Sequence, residues 1–325
     1  MTHPHDVPLE RARALVQRAV DKAEQLGIRG AIAVVGSSGA LVTASRLDHG
    51  GPGGMGRATS KAWISGTQQI PSTEHLHRMT SLPVPISAGF VGVSPQAIFP
   101  GAGGIPILDE AGVVVGGIAA SGATVSPFFP TGVAPEVVSA DGEPANPEDL
   151  LIAYALGVPY VGQHGDDRAR WEQRFGELTV AADRSLGMQP APAATRQAEL
   201  AWAREICDRV LALALDRGVR VSVAVVDRGA DPVQQDRMDD AVGGGVEVAV
   251  ATAATAARYG MSSHQVPAAY AAATGALGRL HPAPFLPVAG GVPLIADGRV
   301  VGGLGVGGAD PQLCGELAAA ALVEA

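Results

Sequence analysis

The chain has 325 residues, which is enough for two domains of ordinary size. Its formal net charge of -9 argues against a nucleic-acid partner, because contact with phosphates requires a basic surface. No apolar run approaches the roughly 20 residues that span a bilayer, and the first residues lack an apolar signal segment. These features predict a cytoplasmic protein with no nucleic-acid partner and no membrane partner.

The chain contains an internal duplication, which is clearest in two glycine-rich stretches. "PGAGGIPILDEAGVVVGGIAASGAT" runs from Pro100 to Thr124, and "PVAGGVPLIADGRVVGGLGVGGADP" runs from Pro287 to Pro311. Both contain a Gly-Gly-apolar-Pro turn followed by two short apolar runs. A pattern of this length predicts two copies of one fold.

The same order of elements is predicted in both copies. An amphipathic helix ends at Gly27 in the first copy and at Gly218 in the second, an offset of 191 residues. A hairpin, an alanine-rich helix, and a second hairpin within the glycine-rich stretch follow. The last helix begins at Asn146-Pro147 or at Asp310-Pro311, with an N-cap residue followed by proline at the first helical position.

This order predicts an α/β (α+β) fold made of two tandem domains. Each domain is expected to hold an antiparallel sheet of four to five strands with helices packed against it. The first domain is predicted at residues 8–158 with an inserted loop at 124–145, and the second at 195–325. Residues 159–194 are expected to form a connector.

The motifs of the second copy resemble the GlcG/HbpS family of haem-binding domains, which also form the C-terminal part of PduO-type proteins. The similarity lies in "SVAVVD", "RMD", "AARYG" and "GGVPL…DGRVVGGLGVGGA". It implies a small-molecule ligand, with haem or another tetrapyrrole as the candidate cofactor. It also implies a homo-oligomer that associates through its helices. In the haem-binding member a histidine of the first helix contacts haem, whereas residues 9–26 and 199–217 contain none.

A second hypothesis is an enzyme of the lyase or isomerase type, without a redox cofactor, that acts on a small anionic metabolite. Its candidate catalytic residues are Lys61, Arg46, Asp48 and His49, which could hold a carboxylate and transfer a proton. Arg46 and Asp48 have counterparts in the second copy, which also fits a structural ion pair or an N-cap for the next helix. A third hypothesis is a non-catalytic assembly or sensor module.

The candidate ligand-binding residues are two histidines and the two glycine-rich turns. His75 and His77 share a face if "EHLH" is extended and point to different sides if it is helical. No standard metal-site pattern surrounds them. The missing Cβ atoms of the turns would let a flat ligand or a facing helix approach the strand backbone. The turn residues are Gly103, Gly104, Pro106, Gly290 and Gly291.

Overall fold

A computed structural model of the chain describes residues 7–48, 50–94, 96–122, 146–158, 200–270 and 284–323. His49, the inserted loop predicted at 124–145 and the connector predicted at 159–194 lie outside these described residues.

The first repeat contributes five helices and four strands among the described residues. They follow the predicted order, with two further helices between the alanine-rich helix and the second hairpin. In chain order they are α1 (Leu9–Gln25), β1 (Ala31–Gly36), β2 (Leu41–Arg46), α2 (Gly54–Gln68), α3 (Ser72–Ser81), α4 (Val84–Val93), β3 (Gly104–Leu108), β4 (Val114–Ser121) and α5 (Pro147–Leu156).

The second repeat has the same framework. A single 3-10 turn, Ser263–Gln265, and a short helix follow its alanine-rich helix. Its elements are α6 (Leu200–Asp216), β5 (Ser222–Asp227), β6 (Pro232–Arg237), α7 (Gly245–Tyr259), α8 (Val266–Ala269), β7 (Gly291–Ala296), β8 (Arg299–Gly307) and α9 (Pro311–Val323).

The described residues form two compact units. The N-terminal unit holds residues 13–39 and the described residues from 50 to 158, and its strand order is β3-β4-β1. The C-terminal unit holds residues 7–12, 40–48 and the described residues from 200 to 323, with the order β2-β6-β5-β8-β7. Every strand pair within each unit is antiparallel. The predicted fold class is therefore confirmed, and β2 of the first repeat joins the strands of the second.

The predicted starts of the last helices are confirmed at atomic level. The Asn146 side chain accepts hydrogen bonds from the backbone N–H groups of Glu148 and Asp149, at 2.9 and 3.4 Å. Asp310 accepts equivalent bonds from Gln312 and Leu313, at 3.0 and 3.2 Å. Each cap satisfies N–H groups that have no partner inside the helix, which fixes where the helix begins.

Helices α2 and α7 lie directly on the strand backbone. A Cβ atom built on Gly117 of β4 would lie closer than 3.0 Å to the Ala62 carbonyl oxygen and the Gly66 nitrogen of α2. A Cβ on Gly305 of β8 would meet the Ala249 carbonyl oxygen of α7 in the same way. Only glycine at these strand positions allows so close an approach of helix and sheet.

No described helix has the length and apolarity needed to cross a membrane. The predicted cytoplasmic location and the predicted homo-oligomer stay predictions.

Gly117→Ala and Gly305→Ala should each lower the free energy of unfolding by about 1–3 kcal/mol, because the added methyl group overfills the helix–strand contact. Gly56→Ala is the control, since a Cβ on this exposed residue of α2 meets no atom within 4 Å. We expect the control to be neutral or stabilising by up to about 1 kcal/mol. Urea unfolding of the three variants measures the difference, and equal effects would contradict the packing argument.

Candidate functional site

A buried ion pair joins α2 to α5 in the N-terminal unit. Lys61 Nζ lies 2.6 Å from Glu148 Oε2, and the two side chains are only 4% and 3% exposed. The ammonium group also lies 3.4 Å from the Ala120 carbonyl oxygen and 5.7 Å from the centre of the Phe99 ring. The charge of Lys61 is therefore already matched by a carboxylate inside the protein.

The carboxylates of α5 also bind the backbone of the neighbouring strands. Glu148 Oε1 accepts a hydrogen bond of 2.8 Å from the Gly122 N–H, just after β4. Asp149 Oδ1 accepts one of 2.6 Å from the Gly103 N–H, just before β3. Both residues stand in the first turn of α5, where the helix dipole favours negative charge. This arrangement holds the start of α5 against the ends of two strands.

A serine in each repeat ties the glycine-rich turn to the segment that follows the alanine-rich helix. Ser72 Oγ donates to the Gly101 carbonyl oxygen and accepts from the Gly104 N–H at 3.0 Å. Ser263, 191 residues later, donates to the Val288 carbonyl oxygen at 2.5 Å and accepts from the Gly291 N–H at 3.0 Å. The same bonds in both repeats indicate a structural role for the serine.

The predicted glycine positions face protein atoms. A Cβ on Gly104 would lie within 3.0 Å of Ser72 Oγ, Ser65 Oγ and the Lys61 carbonyl oxygen. The facing helix thus occupies this space in the first repeat, as it does in the second, where a Cβ on Gly291 would meet the backbone of α7. Gly103 and Gly290 adopt positive φ angles of 101° and 132°, and Pro106 and Gly117 are antiparallel partners. Ligand binding at these turns stays a prediction.

His75 is a buried imidazole without a hydrogen bond on one ring nitrogen. It lies on α3 with an exposed fraction of 3%, and its Nε2 has no partner among the described atoms. The Phe90 ring of α4 lies 5.5 Å from it, centre to centre. Burial, and secondly the nearby Arg78 charge, lower the pKa of His75 below its ordinary value of 6.5. The imidazole is therefore kept neutral at physiological pH.

The helix separates the two candidate histidines. Because α3 spans both residues, His75 points inward while His77 is exposed. The pair therefore does not form a two-histidine metal site. No cluster of three or more potential metal ligands occurs among the described residues.

Arg46 and Asp48 belong to the C-terminal unit, where each has a structural partner. The Arg46 guanidinium lies 2.6 Å from Asp227 and 2.5 Å from Asp231. Asp48 accepts a hydrogen bond of 2.9 Å from the N–H of Leu200, the first residue of α6. Both contacts are therefore made with the second repeat, and a role of Arg46 and Asp48 in catalysis stays a prediction.

Asp239, the counterpart of Asp48, repeats this capping contact. It accepts a hydrogen bond of 3.1 Å from the N–H of Leu9, the first residue of α1. Each hairpin thus caps the first helix of the other repeat.

Sequence reasoning missed the acidic partners of both predicted cations. Glu148 lies 87 residues after Lys61, and Asp227 lies 181 residues after Arg46. The one local signal for Glu148 was the Asn146-Pro147 helix start, which places it in the first turn of α5. A comparison of the repeats adds a second signal, since Lys61 and Glu148 become Thr252 and Gln312 in the second copy.

Comparison with known proteins gives a family for both repeats. The HbpS-like family model, described as haem-degrading protein HbpS-like, matches residues 7–126 and 199–323. An uncharacterised 15.0 kDa protein from the dhaT–dhaS intergenic region of Citrobacter freundii is 32% identical over 111 residues. The match covers 34% of this chain and 78% of that protein. The resemblance seen in the sequence motifs is thereby confirmed, and it supports a small-molecule binder of the GlcG/HbpS type.

Two solved structures are also similar. The Klebsiella pneumoniae protein ORFY is 26% identical, with a TM-score of 0.38, and the match covers 41% of this chain and 94% of ORFY. A double mutant of Streptomyces reticuli HbpS is 30% identical, with a TM-score of 0.37, and the match covers 41% of this chain and 96% of that chain. Each of these proteins corresponds in length to about one repeat.

Lys61→Met and Glu148→Gln should each destabilise the protein by about 3–5 kcal/mol, because either change leaves one buried charge without its partner. The double variant Lys61→Met/Glu148→Gln should cost less than either single change, since it removes both charges and keeps an oxygen that can accept from the Gly122 N–H. Arg78→Ala is the control, because its ion pair with Glu74 is exposed and should contribute about 0–1 kcal/mol. Chemical unfolding at pH 7 measures all four, and additive losses in the double variant would contradict the pairing.

Stability should fall as the pH is lowered through the ordinary pKa of histidine. The pKa of His75 is depressed in the folded state, so the unfolded chain takes up the proton first and acid favours unfolding. His75→Gln should reduce the slope of melting temperature against pH between about pH 7.5 and about pH 5.5. His77→Gln, at an exposed position of the same helix, is the matched control for the substitution itself. Equal slopes in wild type and His75→Gln would refute the assignment.

Proposed function

Since the chain belongs to the HbpS-like family, we propose that its N-terminal unit binds haem or another flat tetrapyrrole beside His75. The observation that carries the proposal is the buried, unpartnered Nε2 of this neutral imidazole. A neutral imidazole is the form that ligates iron. Of the three histidines in the described residues, His75 is the buried one, and His77 and His264 are exposed.

The second repeat supplies an internal comparison for His75. The equivalent residue, 191 positions later, is Val266, which is fully buried. Packing at this position is therefore satisfied by an aliphatic side chain. A histidine there carries a desolvation cost that its Nε2 does not recover from any described hydrogen-bond partner. This difference supports a ligand-binding role for the imidazole.

Helix α4 offers an apolar surface next to His75. The helix carries no charged residue and buries none of its residues, although Phe90 contacts the imidazole. An exposed apolar helix of this kind is typical of a ligand or partner surface. Its large exposed side chains are Val84, Ile86, Phe90, Val91 and Val93.

These residues fit a tetrapyrrole by their chemistry. His75 would bind the iron through Nε2, and the apolar side chains of α4 would provide apolar contacts. Arg78, whose exposed guanidinium is paired with Glu74 in the absence of a ligand, would be available to a propionate carboxylate. Because Nε2 is buried, ligation requires a local rearrangement around His75, whose ring contacts Phe90 of α4. When bound, haem would supply a redox-active iron to this site.

The lyase or isomerase hypothesis depends on Lys61 and Arg46 as anion-binding groups. Both cations are already paired with carboxylates of the protein, so a substrate anion would have to displace Glu148 or Asp227. We therefore place tetrapyrrole binding first.

Haem titration of the purified full chain should give a shifted Soret band in wild type and in His77→Gln. His75→Gln should bind haem at least about tenfold more weakly. Even the loss of a residue that only hydrogen-bonds to a metal ligand lowers metal affinity by about that factor. Circular dichroism of the variants checks that each is folded. The proposal fails if wild type gives no band shift, or if His75→Gln binds as tightly as His77→Gln.

A further inference from the structure

Strand β2 of the first repeat pairs with β6 of the second, and equivalent residues of the two repeats meet at the centre of this pair. Ala44 lies opposite Gln235, and these two residues occupy equivalent positions 191 apart. Thr43 lies opposite Asp236, and Ser45 lies opposite Gln234. The same backbone register would therefore also allow β2 to pair with β2 of another chain, and β6 to pair with β6 of another chain. Only the side chains can distinguish these three pairings.

We propose that the side chains make this strand pairing selective. Strand β2 of a first repeat pairs only with β6 of a second repeat, where Asp227 and Asp231 are available to Arg46. The inference concerns the C-terminal unit and is independent of ligand binding at His75.

Arg46 is the main determinant of this selectivity. Its side chain is 8% exposed and binds Asp227 and Asp231 of the second repeat. The equivalent positions of the first repeat are Gly36 and Ala40, which have no carboxylate. A β2–β2 pair would therefore bury two guanidinium groups without an acidic partner, which is strongly unfavourable.

The polar side-chain pairs along the two strands also favour β2–β6 pairing over β2–β2 pairing. Thr43 Oγ1 donates to Asp236 at 2.8 Å, and Ser45 Oγ donates to Gln234 Oε1 at 2.7 Å. In a β2–β2 pair each threonine would lie opposite a serine instead. The carboxylate and amide acceptors of β6 would then be absent, and four buried hydroxyls would depend on one another.

The second repeat is not restricted in this way. Arg237 occupies the position equivalent to Arg46 and donates to the carbonyl oxygens of Leu41 and Ala241, at 2.9 and 3.3 Å. In a β6–β6 pair it would lie where Arg46 lies now, next to Asp227 and Asp231 of the other second repeat. The second repeat can therefore pair with either type, and the first repeat only with the second.

A protease site inserted into the predicted connector at 159–194 allows a test on the whole folded chain. After cleavage, the two halves should remain together. Mixing nicked protein with an isotope-labelled nicked sample, followed by native mass spectrometry, reports which halves exchange. We expect first–second pairs that combine labelled and unlabelled halves, without first–first pairs. First–first pairs in the wild type would overturn the proposal.

Arg46→Met tests the determinant itself, with Arg237→Met as the matched control. In nicked protein Arg46→Met should weaken the first–second pair by about a hundredfold or more, because Asp227 and Asp231 lose their cation. It should also permit first–first pairs, since the buried charge that prevents them is gone, and a general loss of stability would not do this. Arg237→Met should weaken the pair by less than about tenfold, because only two uncharged carbonyl oxygens lose a hydrogen-bond donor. Equal behaviour of the two variants would refute the proposal.

Discussion

Direct contact between helix backbone and strand backbone is the constraint on which both repeats depend. Gly117 lets α2 approach β4, and Gly305 lets α7 approach β8, to a distance that excludes any side chain. This approach sets the height of α2 above its sheet. Lys61 can then reach the start of α5, where Glu148 Oε2 lies 2.6 Å from its Nζ. A larger residue under the helix would move the ammonium group away from its buried partner.

The repeats share this framework but differ in the polar groups that it holds. Thr252 stands where the first repeat has Lys61, and its hydroxyl donates to the Val248 carbonyl oxygen of its own helix at 2.9 Å. Gln312 replaces Glu148. The second repeat therefore has no counterpart of the Lys61–Glu148 ion pair at these two positions. The hydrogen bonds between the serine and the glycine-rich turn occur in both repeats, which indicates that the fold requires them. The buried ion pair occurs at these positions in the first repeat alone.

Much of the fold could be predicted because its signals are local or repeated. Helix caps such as Asn146 and Asp310 lie within three residues of the N–H groups that they satisfy, so a short motif suffices. The Lys61–Glu148 pair could not be predicted, since its partners are 87 residues apart and no local pattern encodes their contact. Helix α4 was also missed, because it is apolar throughout and lacks the periodicity that marks a surface helix.

The duplication explains how the first repeat can lack carboxylates that a single-domain protein would need. Arg46 requires carboxylates. The first repeat has Gly36 and Ala40 at the equivalent positions, and the second repeat supplies Asp227 and Asp231. A first repeat expressed without its partner could not satisfy this charge by self-pairing. Covalent linkage makes the partner permanently present, so the lack of these carboxylates carries no penalty in the intact chain. Relaxed constraint of this kind allows one repeat to hold a costly buried residue, His75, where the other has Val266.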